Sequence, residues 1–229
     1  MEPVAVVIPT LNEAETIARV IADIPRDFAA DIIVADSGST DGTQDAARRA
    51  GARVIAAERG YGRACALAAA SAAPACRVVV FLDGDGADRA DLMAEIAGPV
   101  LGGTHDLVLA SRTRGDREPG AMLWHQILAG RAAGLAMGAL YGVRYTDMCA
   151  YRAIGRAALD RLGMRELTYG WNIEMQMRAA RAGLRIREVP LPYRRRSGGK
   201  SKVAGSLAGT LRAGSRIIAT FARVATARS

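Results

Sequence analysis

The sequence predicts an α/β fold, with a mostly parallel central sheet flanked by helices, on three observations. Five short apolar runs rich in β-branched residues recur in the first half of the chain. Helix-like stretches separate these runs. The runs are continuously apolar, which is typical of parallel strands covered on both faces. With 229 residues, no internal repeat and no disordered linker, the chain is expected to form a single domain over residues 1–229.

Strands and helices alternate through the first half. The predicted strands are Val4–Ile8, Asp31–Ala35, Ala52–Ala56, Arg77–Leu82 and Asp106–Ala110. The predicted helices are Glu13–Ile24, Thr40–Ala50, Gly62–Ala73 and Asp88–Ala97. Ligands of such sheets bind at the carboxyl ends of the strands, so the polar residues that follow each strand are the functional candidates.

The second half contains fewer strand signals. Helices are predicted over Gly120–Tyr141, Ala153–Leu162, Tyr169–Ala182 and Val203–Ala227. An extended segment is predicted over Val143–Arg152, a strand over Leu184–Val189 and a basic loop over Arg194–Lys202.

Charge is distributed unevenly along the chain. Residues 1–115 hold 11 Arg and 16 acidic residues, a net charge of −5. Residues 116–229 hold 20 basic and 7 acidic residues, a net charge of +13. The second half therefore suits an anionic partner, and nucleic acid, an anionic membrane and a phosphorylated ligand all fit that charge.

Cysteine content and hydropathy indicate the compartment. Cys65, Cys76 and Cys149 form no CxxC pair, which indicates reduced thiols in the cytoplasm, and a structural zinc site is not expected. The charge-free runs are shorter than the roughly 20 residues of a membrane span. The N-terminus lacks the basic start of a signal peptide. The chain is therefore expected not to cross a membrane, although it can lie on one.

The strongest local signal is the acidic segment Phe81–Gly86, which ends a predicted apolar strand. Asp83 and Asp85 flank a glycine there. Carboxylates at the end of a buried strand supply the hard oxygen ligands that Mg²⁺ or Mn²⁺ prefers, and substrate phosphates can complete the shell. An acidic turn without a metal is the competing interpretation, because Asp-Gly is a common turn pair.

Three other strand ends carry polar residues suited to a nucleotide. Asp36 follows the second strand, where a carboxylate can accept hydrogen bonds from a nucleobase or ribose. Helix capping by Ser39 or Thr40 is the alternative there. Ile8–Glu13 runs from a strand into a helix, and Arg59–Ala64 combines a glycine pair with positive charge, which is weak evidence on its own.

Together these segments resemble a known family. VVIPTLNE, VADSGSTDGT, RGYGRA and FLDGDG, in that order, are similar to the family 2 glycosyltransferases with the GT-A fold. SRTRGD, TDMCAYRAI, GWNIEMQMRAARAG and VPLPYRRRSGGKSKVAGS resemble the branch of dolichol-phosphate mannose synthases and polyprenyl-phosphate glycosyltransferases. The resemblance spans residues 4–206.

The resemblance implies a function for each part of the chain and a set of donor-binding residues. Residues 1–115 would form the nucleotide-sugar-binding half, residues 116–202 the acceptor half and residues 203–229 a C-terminal amphipathic helix. Asp83 and Asp85 would hold Mg²⁺ or Mn²⁺, with Asp85 the firmer, catalytic ligand. The implied nucleotide-sugar-binding residues are Pro9, Thr10, Glu13, Asp36, Arg63, Asp83, Lys200, Ser201 and Lys202. Ser37 stands where many relatives have a second Asp, which leaves the base of the donor open.

The implied reaction is inverting transfer of a hexose from a nucleotide-diphosphate sugar to a polyprenyl phosphate. Arg112 would face the transferred group or the acceptor phosphate, and His125 and Arg131 are further acceptor-binding candidates. A phosphate acceptor is already ionised near neutral pH and requires no general base, whereas a hydroxyl acceptor requires one. Asp147 and Glu174 are the candidates for that base.

Two other functions are retained as alternatives. Glucosyl-3-phosphoglycerate synthases carry a similar DSGSTD segment, so the same fold acting on a small soluble acceptor such as 3-phosphoglycerate remains open. A nucleic-acid-binding module is a distant alternative, because the chain has no usual recognition motif and the acidic strand end would have no role in it. Nucleic acid is therefore not expected as a partner, and a homodimer remains open.

Two basic features of the C-terminal region carry further expectations. Lys200 and Lys202 are the two lysines among 31 Lys and Arg residues, which favours a phosphate contact for that loop over ordinary solvation. On a helical wheel Arg212, Arg216 and Arg223 share one side of the last helix, and its apolar residues lie opposite. The apolar residues in question are Leu207, Leu211, Ile217, Ile218, Phe221 and Val224. This helix either lies peripherally on the cytoplasmic face of an anionic membrane or packs on the core.

Overall fold

The computed structural model of the protein describes residues 3–198 and 207–227. Lys200, Ser201 and Lys202 lie outside the described residues. The described strands are β1 (Val4–Thr10), β2 (Ala29–Asp36), β3 (Arg53–Ala56), β4 (Val78–Phe81), β5 (Leu107–Ser111), β6 (Arg152–Gly155) and β7 (Ile186–Pro190). The helices are α1 (Ile17–Ala22), α2 (Thr43–Arg49), α3 (Tyr61–Ser71), α4 (Met93–Leu101), α5 (Trp124–Tyr141), α6 (Arg156–Leu162), α7 (Trp171–Arg181) and α8 (Leu207–Thr226), with a 3-10 turn at Ala90–Leu92.

The seven described strands form one mixed sheet in the order β3-β2-β1-β4-β6-β5-β7. Strands β1, β2, β3 and β4 pair in parallel, as do β5 and β7. Strand β6 runs antiparallel to both of its neighbours, β4 and β5. The expected mostly parallel sheet is thus confirmed, and six strands direct their carboxyl ends to the same edge.

Helices cover both faces of the sheet, because the strands are apolar on both sides. Along β1, Ala5 and Val7 join the core beneath α3, α6 and α7, whereas Val4, Val6 and Ile8 join the core beneath α1 and α4. This alternation follows from the twofold side-chain period of a strand. The sheet is therefore a rigid platform, and chemistry is confined to the loops at its edges.

The structure corrects the sequence prediction at β6. Residues 143–151 form neither a strand nor a helix, and the strand occupies Arg152–Gly155, where the sequence predicts the start of a helix. Helix α6 begins only at Arg156. Burial explains the difference, since Ala153 and Ile154 are fully buried between β4 and β5 and pair with both.

The last helix is also more buried than a purely interfacial helix. Ala213, Thr220 and Val224 of α8 are buried, and Ile217 and Phe221 pack on the core that includes α7. Of the apolar stripe predicted from the wheel, Ile217, Phe221 and Val224 are therefore core, whereas Leu211 and Ile218 are exposed. The side chain of Leu207 lies outside the described part of the chain. Among the described residues, no helix is long and apolar enough to traverse a bilayer.

Candidate active site

The loops that follow β1 and β2 form one wall of the candidate site and are bonded to each other. Asn12 adopts a left-handed backbone conformation with φ of 53°. Its side-chain oxygen accepts a hydrogen bond from the Thr40 backbone at 2.9 Å, and its own backbone donates to Ser39 Oγ at 2.8 Å. Asparagine tolerates this conformation better than most residues. The two loops are thereby held in a fixed relation at the sheet edge.

Asp36 is the buried centre of this wall. Its Oδ2 accepts from the Thr10 hydroxyl at 3.1 Å and from the Ser39 hydroxyl, and its Oδ1 accepts from Gln44 Nε2 at 2.8 Å. The backbone groups of Gly38 and Ser39 donate to Oδ1 as well. The carboxylate therefore orders the loop that contains it, and its contact with a nucleobase stays a prediction. Pro9 and Thr10 lie at the end of β1 beside it, as the sequence predicts.

The acidic turn after β4 brings together residues that are far apart in the chain. Asp83 accepts a hydrogen bond from the Tyr61 hydroxyl at 3.3 Å. Arg196 Nη2 lies 3.2 Å from Asp85 Oδ2, and Arg196 Nη1 lies 2.9 Å from Glu13 Oε2. Glu13 is thus on the wall predicted for it, and Arg196 is a cation of the site that sequence reasoning did not single out. Its only signal was the basic run Arg194–Arg196.

A third carboxylate, Asp88, faces the same turn and was also missed. Burial, together with repulsion from Asp83 and Asp85, raises its pKa well above the ordinary range. Burial and Asp85 likewise raise the pKa of Asp83 to about 6. Burial and mutual repulsion therefore disfavour the simultaneous ionisation of these carboxylates, and nearby arginines offset this effect only in part.

The chemistry of this turn fits Mg²⁺ or Mn²⁺. Among the residues that the structure describes, no three His, Cys, Asp or Glu side chains form a group that could hold a metal by itself. Two carboxylates, Asp83 and Asp85, are nevertheless what Mg²⁺ usually takes from a protein when phosphates and water supply the other ligands. The protein therefore offers a partial shell.

On the other side of β4, Arg112 and Asp147 form a buried ion pair. Arg112 Nη2 and Nε each lie 2.7 Å from an oxygen of Asp147, and the Arg112 backbone donates to the same carboxylate at 2.9 Å. Burial alone would raise the pKa of Asp147, but Arg112 and these hydrogen bonds lower it. A carboxylate so engaged is a poor general base, because its basicity is far from the operating pH. Asp147 instead fixes Arg112, whose guanidinium also lies 5.2 Å from the Tyr193 ring.

A cavity of about 220 Å³ opens beside this pair, between α5, α7 and α8. Its polar side groups include Arg112, His125 and Asn172. His125 Nε2 and Asn172 Oδ1 are buried without a hydrogen-bond partner among the described residues. Gln126, Asp147 and Tyr169 also line it, and the apolar part of the wall is formed by Ala129, Met148, Ile173, Ala213, Gly214 and Ile217. The cavity thus combines a cationic, hydrogen-bonding part with an apolar part.

Three predicted site residues lie elsewhere than expected. Glu174 is fully buried in α7 and accepts from Arg178 Nε at 3.0 Å and from the backbones of Arg165 and Glu166, so it is structural and not a base facing the cavity. Arg131 is exposed on α5 and does not line the cavity. Arg63 pairs with Glu58 at the surface, because α3 directs its side chain there.

The glycine pair that precedes α3 serves packing. A Cβ on Gly62 would lie 2.4 Å from the Glu166 carbonyl oxygen, and one on Gly60 would lie 2.5 Å from that of Leu167. Backbone hydrogen bonds also join Gly62 to Thr168 and Arg63 to Leu167. These glycines therefore allow a close backbone approach to the segment before α7.

Comparison with known proteins gives consistent matches. The model of the glycosyl transferase family 2 matches residues 5–163. An uncharacterised glycosyltransferase of Mycobacterium tuberculosis strain H37Rv is 37% identical over 216 residues, which cover 92% of this chain and 94% of that protein. A dolichyl-phosphate hexose transferase of Haloferax volcanii is 38% identical over 202 residues, which cover 86% of this chain and 85% of that protein.

A solved structure is also similar over the full length. The crystal structure of glucosyl-3-phosphoglycerate synthase from Mycobacterium tuberculosis, in complex with Mn²⁺, uridine diphosphate and phosphoglyceric acid, superposes with a TM-score of 0.77. It is 26% identical in sequence, and the match covers 100% of this chain and 80% of that one.

Proposed function

The chain belongs to glycosyl transferase family 2 and has the GT-A fold, and we propose that it transfers a hexose from a nucleotide-diphosphate sugar to a polyprenyl phosphate of the dolichyl type. The transfer inverts the configuration at the anomeric carbon of the sugar and requires Mg²⁺ or Mn²⁺. It takes place at the cytoplasmic face of an anionic membrane. The observation that carries this proposal is the cavity between α5, α7 and α8. It is lined by apolar side chains and by Arg112, whose charge also acts on Asp83 and Asp88 of the acidic turn.

The lining of the cavity supports an acceptor that combines a phosphate with hydrocarbon. Arg112 carries a planar, permanently charged guanidinium, the side chain best suited to hold a phosphate. His125 Nε2 offers an unpartnered buried group beside it. Met148, Ile173 and Ile217 favour an isoprenoid chain over a small polar molecule, because apolar walls stabilise hydrocarbon by removing it from water.

Neither carboxylate predicted as a general base is placed to act as one, and this supports the same acceptor. Asp147 is engaged by Arg112, and Glu174 lies buried away from the cavity. A hydroxyl acceptor would need a base to remove its proton. A phosphate oxygen is already ionised at neutral pH, so Arg112 has only to hold it in line with the anomeric carbon.

On the donor side, the residues of this chain bind and orient the diphosphate. Asp83 and Asp85 are the groups that would hold the metal, which when bound neutralises charge developing on the leaving diphosphate. Arg196 adds a fixed positive charge within 3.2 Å of Asp85. The loop with Lys200, Ser201 and Lys202 follows directly, and we assign its lysines to the diphosphate.

A soluble acceptor such as 3-phosphoglycerate is the second candidate. The similar solved structure contains phosphoglyceric acid, and Arg112 with His125 would suit any phosphate. The apolar walls of the cavity have no role in that reaction, which is why we rank it below the lipid.

The decisive experiment is a radiolabel transfer assay on the full chain. A panel of labelled nucleotide sugars is offered with Mg²⁺ or Mn²⁺, and either a polyprenyl phosphate in detergent or 3-phosphoglycerate serves as acceptor. We expect label to enter the organic phase. Label found only in a water-soluble phosphorylated product would establish the second candidate and refute the first.

The metal assignment makes a separate prediction. We expect Asp85→Asn to reduce turnover by at least about 100-fold, since it removes one of two carboxylates from a partial shell. Asp91→Asn is the matched control, because Asp91 also follows β4 but pairs with Arg89. It should retain wild-type turnover. Full activity of Asp85→Asn would overturn the metal assignment.

A further inference from the structure

We propose that the outer face of α5, together with the adjacent outer face of α8, is the surface by which this protein docks on an anionic lipid bilayer. The inference rests on the proposed function, and it adds which surface meets the membrane and how that surface relates to the acceptor cavity. It assigns the main contact to α5, a helix that the charge and periodicity of the sequence did not single out.

Helix α5 exposes large apolar side chains along one face. Trp124 is 75% exposed, Leu135 is 77% exposed, and Leu128 between them is also exposed. These positions are separated by four and seven residues, so they form one stripe along the helix. The opposite face holds Gly130, Gly134 and Met137, which are buried. Apolar residues occur on every side of α5, so sequence periodicity could not reveal its exposed stripe.

Helix α8 adds two more exposed apolar side chains. Leu211 is 64% exposed and Ile218 is 71% exposed, although Ala213 and Val224 of the same helix are buried. Both helices also contribute walls to the acceptor cavity, α5 through Ala129 and α8 through Ile217. The two helices that flank the cavity therefore both carry exposed large apolar side chains. Exposed apolar surface of this kind marks an interaction site.

The charge around this surface has a single sign. Residues 119–146 and 189–229 contain no Asp or Glu. Arg131, Arg144, Arg212 and Arg216 are exposed on or beside the two helices, and none of them forms an ion pair within the described residues. An apolar stripe flanked by arginines is the arrangement that binds anionic headgroups while the apolar side chains enter the interface. Trp124 at the start of α5 suits the headgroup level.

A second copy of this chain fits the surface less well. A symmetric dimer would place the arginines of one copy opposite those of the other, with no carboxylates from either helix to compensate. A bilayer with anionic lipids supplies the missing negative charge. It also places an isoprenoid chain beside the apolar walls of the cavity, with its phosphate toward Arg112.

The test is flotation of the full chain with vesicles. The wild-type protein should float with vesicles of phosphatidylcholine and phosphatidylglycerol. A much smaller fraction of it should float with vesicles of phosphatidylcholine alone. The double variant Leu128→Glu, Leu135→Glu should lower the partition coefficient at least about tenfold, because two apolar side chains that enter the interface become charged. Leu67→Glu is the matched control, since Leu67 is also an exposed leucine but lies on α3. It should bind as the wild type does.

Several outcomes would overturn the proposal. These are a wild type that does not float with anionic vesicles, a double variant that floats unchanged, and a control that loses binding equally. Sedimentation tests the rival interface: a wild-type dimer that the double variant converts to monomer, with vesicle binding unchanged, would identify the surface as a dimer contact. Thermal unfolding of all three proteins confirms that the variants are folded.

An activity assay separates this proposal from the proposed function. With a short, water-soluble isoprenyl phosphate, the double variant should transfer sugar as fast as the wild type, whereas transfer to long-chain polyprenyl phosphate in vesicles should fall about as much as binding does. If flotation depends on Leu128 and Leu135 but no sugar is transferred to any isoprenyl phosphate, the docking surface is supported and the proposed lipid-phosphate acceptor is refuted.

Discussion

Arg196 places a positive charge next to the carboxylates of the proposed donor site. Its guanidinium contacts Glu13 after β1 and Asp85 after β4, so a protein cation lies against a carboxylate assigned to the metal. Like charges at a few ångströms repel by about 1–4 kcal/mol, depending on how far solvent screens them. Under the proposed function, the contact would therefore oppose metal binding until the donor diphosphate supplies additional negative charge.

We expect Arg196→Gln to raise the affinity of the donor-free protein for Mn²⁺ by about tenfold, because the competing cation is removed. The measurement is a Mn²⁺ titration followed by electron paramagnetic resonance. Arg194→Gln is the matched control, since Arg194 pairs at 4.0 Å with Asp23 and not with Asp85. Unchanged or weaker Mn²⁺ binding in Arg196→Gln, or an equal gain in the control, would contradict this role.

Glu174 illustrates a carboxylate whose burial serves structure. It accepts hydrogen bonds from Arg178 and from two backbone groups, and Arg223 of α8 lies 3.3 Å away. Glu174→Gln should lower the free energy of unfolding by about 3 kcal/mol, the usual effect of breaking a buried pair on one side. Turnover of the folded fraction should change less than about threefold. Loss of a general base costs about 100-fold or more, so a fall of that size with stability intact would restore the catalytic assignment.

Site residues that directly follow a strand can be predicted from the sequence, whereas those contributed by distant parts of the chain cannot. Asp83 and Asp85 were predictable because both follow an apolar strand directly. Arg196 was not, because the residue it contacts, Glu13, is 183 positions away. Asp88 is close in sequence, but its burial depends on packing that the local pattern does not specify.

At the scale of elements, α5 is positioned by one glycine. A Cβ on Gly134 would lie 1.9 Å from the Tyr145 carbonyl oxygen, a distance that no side chain can occupy. Gly138, one turn later, has room, because its Cβ would lie 3.8 Å from the Val143 carbonyl oxygen. The close approach at Gly134 therefore holds α5 against the segment that carries Asp147.

Replacing each of the two glycines with alanine should change the free energy of unfolding in opposite directions. Gly134→Ala should lower the free energy of unfolding by about 2 kcal/mol or more, because the backbone must shift to relieve the clash. Gly138→Ala should raise it by about 0.5–1 kcal/mol, since alanine favours a helix more than glycine does. Chemical denaturation of both variants checks the signs. Equal effects of the two substitutions would show that α5 does not pack as described.

The elements were predictable to the extent that their local pattern agrees with their surroundings. Strands β1 to β5 and most helices follow their apolar runs. Strand β6 is short, and only its antiparallel pairing with β4 and β5 makes it a strand. Helix α8 was predicted, but the helical wheel placed Ile217 and Ile218 on the same apolar side. In the structure Ile217 packs on the core and Ile218 is exposed.

At the scale of the whole molecule, the acidic first half and the basic second half share one sheet. Strand β5 from the first half lies between β6 and β7 from the second. The arrangement was predictable as a fold class, because parallel strands with intervening helices have few topologies. The insertion of β6 between β4 and β5 was not predictable, since it depends on a strand 41 residues after β5 that local signals do not mark.

One ion pair joins the two halves at the end of the sheet opposite the site. Asp106, just before β5, accepts from Arg185 Nη2 at 2.7 Å, from Arg185 Nε at 3.0 Å and from the Arg185 backbone at 2.8 Å, just before β7. These hydrogen bonds lower the pKa of Asp106 from its ordinary 3.8 to about 2. The charged form is therefore favoured in the folded state, and stability linked to it is present above pH 4 and disappears as the pH falls through 2.

We expect Asp106→Asn to lower the free energy of unfolding at pH 7 by about 1 kcal/mol, a value reduced from the full pKa shift because solvent screens a partly exposed pair. About half of that difference should remain at pH 3, and almost none near pH 2. Urea unfolding of wild type and variant across this range measures it. Asp45→Asn is the control, since the exposed Asp45–Arg48 pair lies within α2 and joins no separate strands, so its effect should stay near zero at every pH. A difference for Asp106→Asn that does not change between pH 7 and pH 3 would mean that lost packing, and not the Asp106–Arg185 charge pair, accounts for its effect.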